Sequence, residues 1–87
     1  MEKKEKIFKA KFVGVDWWSR PLFKLEGRNY YMCLPDNPIN GNAPQSEVDA
    51  LIDGINAGNL ALYSLGSDPD NDPGFPVKNV KVLPIAS

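Results

Sequence analysis

Only one stretch of this 87-residue chain repeats its apolar residues with a helical period. Val48, Leu51, Ile52 and Ile55 recur at i, i+3, i+4 and i+7, which places them on one face of a helix, with Asp49 and Asp53 off that face. A lone amphipathic helix needs another surface to bury its stripe, and the rest of the chain reads as strands and turns. Two starts fit the helix. Asn42 with Gln45, or Ser46 with Asp49, makes a capping box. Gly54 weakens it by about 1 kcal/mol relative to alanine, and Gly58 ends it as a left-handed cap.

The strands follow from alternation. Residues 1–5, MEKKE, are charged and expected to fray. Phe8, Ala10 and Phe12 then face one way and Lys9 and Lys11 the other, and Val13-Gly14-Val15 breaks the pattern as a bulge would. Asp16 to Pro21 carries turn signals, and a second strand runs from Leu22 to Glu26. Gly27 sits in a tight turn before a third strand, Tyr30 to Leu34, whose two faces are both largely apolar. Such a strand belongs in the middle of a sheet or under cover on both sides. A proline- and asparagine-rich loop leads to the helix. Strands at Leu60–Leu65 and Val77–Leu83 follow, separated by the polar loop GSDPDNDPGFP.

The expected architecture is α+β: one domain over residues 1–87, with a twisted, mainly antiparallel five-stranded sheet in the order β-β-β-α-β-β and a single helix packed on it. The alternative is a small curved β-barrel with the helix at its mouth. A chain this short buries roughly 60–65% of its unfolded surface. That leaves no room for a cofactor domain beside the core.

Composition narrows the chemistry. There is no histidine, which removes Ser-His-Asp and Cys-His catalysis and every imidazole metal site. The single cysteine, Cys33, forms no internal disulfide and reads as a buried structural thiol in an apolar strand. Asp68, Asp70 and Asp72 echo positions 1, 3 and 5 of a calcium loop. But Pro73 stands where glycine is needed, and Asn79 where a bidentate glutamate is needed. No metal, cofactor or catalytic residue is therefore expected, and the chain reads as a non-enzyme. No apolar run approaches the ~18 residues of a membrane span, and Lys9 and Lys11 interrupt any signal-like segment. A cytoplasmic protein without membrane contact is the expectation.

The net charge of −1 conceals an asymmetry. Residues 1–31 carry eight Lys/Arg and four Asp/Glu, whereas residues 32–76 carry seven acids and no Lys or Arg. Two surfaces stand out. The first is Asp16-Trp-Trp-Ser-Arg-Pro21. Adjacent side chains in extended backbone point to opposite faces, so one indole is expected in the core and the other outward. Trp17, Trp18 and Arg20 are the candidate partner-binding residues, because Trp and Arg dominate binding hot spots. The plainer alternative has one Trp in the core, one covering a sheet edge, and Arg20 paired with Asp16. The second surface is the basic first hairpin, where Lys9, Lys11, Lys24 and Arg28 could hold nucleic-acid phosphates while a Trp stacks on a base.

The stretch Phe12-Val-Gly-Val-Asp16-x-Trp18-Ser-Arg-Pro21-Leu-Phe-Lys24, with the later Asp72-Pro-Gly74-Phe-Pro76-Val run, resembles a family of short uncharacterised proteins of gut-type bacteria. Their genes often lie near mobile elements. Together the two segments cover roughly a quarter of the chain. The resemblance implies an accessory role in a plasmid, transposon or phage and carries no catalytic or ligand residues with it. The leading expectation is a small interaction module that binds another protein, as an accessory or inhibitor protein of a mobile element. The alternative is nucleic-acid binding by the basic hairpin.

Overall fold

The computed structural model describes residues 7–84, so the fraying expected of residues 1–5 lies outside the described residues. The elements are β1 (Phe8–Val15), β2 (Pro21–Leu25), β3 (Tyr31–Cys33), α1 (Gln45–Asn56), β4 (Leu62–Gly66), β5 (Pro76–Val77) and β6 (Val80–Val82). The sheet has six strands, not five, in the order β5-β4-β3-β2-β1-β6. Its neighbours are antiparallel except β1 and β6, which are parallel, so the sheet is mixed.

The expected last strand is the source of the difference. Asn79 adopts φ 61° and breaks Val77–Leu83 in two. Val77 pairs with Leu62 at one edge of the sheet, and Val80 pairs with Phe8 at the other. A flat six-stranded sheet separates its outer strands by about 24 Å. The three peptide units from Val77 to Val80 span no more than about 11 Å. The sheet must therefore curl until its edges approach, and the result is a half-barrel carrying one helix. The curvature belongs to the barrel alternative; the layered α+β composition belongs to both expectations.

Helix α1 lies against β6. It buries Val48, Ile52 and Ile55, while Leu51 is half-buried on the flank of the stripe. Neither capping box forms. Pro44 occupies the N-cap in extended geometry with no side-chain bond, and its carbonyl accepts from the Glu47 and Val48 amides. A proline just ahead of the helix sets the entry angle by its fixed φ, which leaves Asn42 outside the helix and Ser46 already within it. Gly54 has a tertiary reason: a Cβ there would stand 2.7 Å from Leu60 Cδ1, so Leu60 packs where any larger residue would collide. Gly58 ends the helix at φ 83° as expected. The Asn56 amide donates to the Val82 carbonyl and accepts from the Val82 N–H, which satisfies the backbone of β6 on the side away from β1.

The concave side of the sheet holds Ala10, Phe23, Met32, Leu34, Leu62 and Val82 beneath the helix. β3 lies inside the sheet and both Met32 and Cys33 are buried, as its two apolar faces require. The β1–β2 ladder shifts register between Phe12 and Gly14, at the expected bulge.

Candidate partner-binding site at the hairpin tip

Residues 16–20 join β1 to β2, and Asp16 organises them. Its Oδ1 accepts from the backbone N–H of Trp18 at 3.0 Å and of Arg20 at 2.8 Å. Its Oδ2 accepts from Arg20 Nε at 2.6 Å, and its carbonyl accepts from the Ser19 N–H at 3.0 Å. Ser19 takes the left-handed backbone, φ 64°, that lets the chain reverse. One short acid thus satisfies three amides and one guanidinium within five residues. The two side chains between are left with no inward direction.

Both indoles point outward. Trp17 is 74% exposed and Trp18 45%. They stack on each other with ring centroids 3.8 Å apart and planes at 29°. This corrects the expectation of one buried and one outward Trp. Alternation of faces is a property of extended strand, and the pair occupies a turn. Arg20 is also corrected: it is 8% exposed and lies beneath the indoles, with Cζ 4.7 Å from the Trp18 ring centroid. Its ion pair with Asp16 is the plainer reading made real. Arg20 is covered and braces the turn through Asp16. Arg20 and Trp17 both lie against the Trp18 ring, and Trp17 is the more exposed of the two indoles.

Two loops attach to this turn. The Ile39 N–H donates to the Ser19 carbonyl at 3.0 Å, which ties down residues 34–44. Arg20 Nη1 donates to the Asn71 carbonyl at 3.3 Å, with a longer 3.5 Å contact from Nη2 to Pro69, which ties down the 67–75 loop. That loop is also held by Asn71 Nδ2 on the Leu65 carbonyl and by the Asp70 N–H on Asp68 Oδ1. Asp36, Asp68, Asp70 and Asp72 are all exposed on these two loops. Among the described residues no three His, Cys, Asp or Glu groups come together as a metal site would require. Cys33 is buried on the opposite side of β3 from Met32. Burial pushes its thiol pKa up, with a smaller lowering from Arg20 and a smaller rise from Asp16.

The basic residues fall elsewhere. Lys9 and Lys11 stand on the convex face of the sheet, opposite the inward Phe8, Ala10 and Phe12. Lys11 pairs across the ladder with Lys24, and Lys9 with Lys81. None of the four is within salt-bridge distance of a carboxylate among the described residues. Arg28 does not join them. It turns over the Phe8 ring, 5.9 Å from its centroid, at the β2–β3 turn. The structure therefore groups Lys9, Lys11 and Lys24 with Lys81, a residue that sequence reasoning left out. Only the parallel pairing of β6 with β1, with Lys81 set beside Lys9 from the far end of the chain, brings it there, and no local pattern signals it.

Comparison with family models, curated proteins and solved structures finds no match to this chain. Among the described residues no helix is long and apolar enough to cross a membrane.

Proposed function

We propose that this protein is a non-enzymatic interaction module whose hairpin tip seats an aromatic anchor in a partner protein. The observation that carries this reading is the stacked Trp17–Trp18 pair, held outward on a turn locked by Asp16 and Arg20. Large aromatics left in water forfeit about 1.5–3 kcal/mol of burial each, so two together invite a partner. The locked turn supports the reading, since an anchor already in its bound geometry loses less freedom on docking. The absence of histidine and the buried state of Cys33 favour binding over catalysis. A cytoplasmic accessory or inhibitor protein of a bacterial mobile element is the setting that the resemblance suggests.

The test compares wild-type protein and Trp17→Ala as baits in lysate of the source cells, with circular dichroism confirming that both are folded. A protein retained by the wild type and lost from the variant supports the anchor. Identical captures by the two baits reject it.

A second reading has its own observation. Lys9, Lys11, Lys24 and Lys81 make a staggered row over three strands, with Lys81 opposite Lys9 and Lys24 opposite Lys11 at about 5 Å across strands, and Lys9 and Lys11 about 7 Å apart along β1. Like charges directly opposed in a ladder are unfavourable unless something anionic neutralises them, and Tyr31, paired with Lys24, adds an aromatic ring to the same row. A nucleic-acid strand fits this chemistry. Affinity for a single-stranded oligonucleotide that falls steeply and log-linearly with salt supports it, and affinity indifferent to Lys11→Glu removes it.

A further inference from the structure

We infer that the segment captured by the hairpin tip is cationic: a stretch of the partner protein that lays an arginine or lysine head on the exposed Trp17 ring and sets further basic residues against Asp36, Asp68, Asp70 and Asp72. This rests on the protein-interaction reading and gives its partner a chemistry.

Three features of the tip converge on a cation. The first is the stack itself. The face of an indole is the negative end of its quadrupole. Arg20 already places a guanidinium against Trp18, and Trp17 stacks on that ring with most of its own surface exposed among the described residues. The second is the surrounding charge. Both loops that hydrogen-bond to the turn carry exposed carboxylates, and none of the four lies in a salt bridge among the described residues. The chain from residue 32 to residue 76 contributes no Lys or Arg to offset them. Arg20, the cation beneath the indoles, is neutralised by Asp16. The third is the elimination of other occupants. A purely apolar surface would strip water from these carboxylates and return nothing. An anion, including a nucleic-acid backbone, would meet like charge. The fold thus divides its ligands by sign: cations at the tip, anions at the lysine array.

The inference is tested with three nine-residue peptides of identical backbone, bearing four arginines, four citrullines or four glutamates. Binding to the full chain is measured by titration calorimetry in 20 mM and 200 mM salt. The arginine peptide is expected to bind at least tenfold tighter than the citrulline peptide, and the glutamate peptide not at all. The preference should shrink at 200 mM salt. Trp17→Ala should weaken the arginine peptide at least tenfold. The triple change Asp68→Asn, Asp70→Asn, Asp72→Asn should remove the arginine preference, whereas Asp49→Asn with Asp53→Asn on the helix should leave it intact. Equal affinities for arginine and citrulline peptides overturn the inference, and so does a preference that survives the triple change. Self-association of the wild type, abolished by Lys11→Glu, also overturns it, by making the occupant the lysine array of a second copy. If Trp17-dependent capture from lysate persists while the arginine peptide fails, the cationic assignment falls and the interaction module stands. If both fail, both fall.

Discussion

The hairpin tip and the lysine array are carried by the same two strands, yet they handle charge in opposite ways. At the tip, Asp16 and Arg20 neutralise each other under cover, and what reaches water is aromatic. In the array, the apolar side chains turn inward and four lysines stand on the other face with no carboxylate partner among the described residues. The tip is a local structure: every bond that shapes it lies within residues 16–20, with Ile39, Pro69 and Asn71 bracing it from outside. The array is a product of register, since it exists only when β6 docks beside β1. A site held by its own hydrogen bonds is rigid before a partner arrives. The array instead holds like charges opposed across its ladders.

The contrast can be broken by substitution. The largest effect is expected from Asp16→Ala, which leaves the buried Arg20 without its counter-ion. Removal of one partner from a buried pair costs about 3–5 kcal/mol, read as a fall in the denaturant midpoint. A loss below about 1 kcal/mol would mean that the tip is not braced as described. Ile52→Ala calibrates that figure against ordinary core packing. It should cost about 2–5 kcal/mol, and no change in melting temperature would place the helix outside the core. Leu51, half-buried, should cost less than Ile52 when truncated in the same way.

Cys33 lies beside the tip and gives a pH test of its burial. Its pKa is raised in the folded state, so above the ordinary thiol value of 9.0 the unfolded chain loses this proton before the native state does. The contribution is complete below that value and is lost as pH rises through the folded pKa. Stability should decline in alkaline solution, and Cys33→Ala should flatten that part of the decline. An unchanged alkaline slope would mean that the thiol is open to solvent. The smallest effect belongs to the array. Lys11→Glu replaces a repulsion with Lys24 by an attraction and should raise stability by about 0.2–1 kcal/mol in low salt. A loss of stability on that change would show that Lys11 and Lys24 do not repel across the ladder.

The legibility of this protein followed the reach of its interactions. The bulge at Gly14, the turn at Gly27, the helix ending at Gly58 and the interior position of β3 depend on residues a few places apart, and all were readable from spacing and residue type. The capping boxes failed although they too are local, because Pro44 set the helix entry by its ring. The tryptophans mark the boundary. The run Asp-Trp-Trp-Ser-Arg-Pro is conspicuous in the sequence, but the direction of its indoles is not, because Asp16 draws them into a turn where side chains no longer alternate between faces.

Residue order alone marks where the helix and the first three strands lie, which stripe of the helix is apolar, and which chemistries a histidine-free composition removes. These rest on backbone propensity and on periods of two and 3.6 residues, which act within a few positions. Only the tertiary structure decided that Val77 and Val80 go to opposite edges of one sheet, that β6 runs parallel to β1, that Lys81 joins Lys9, and that Arg20 is covered by loops some 50 residues away. Such pairings are set by how a curled sheet closes and by which distant edge accepts a strand, and the separation along the chain leaves no periodic trace of that choice.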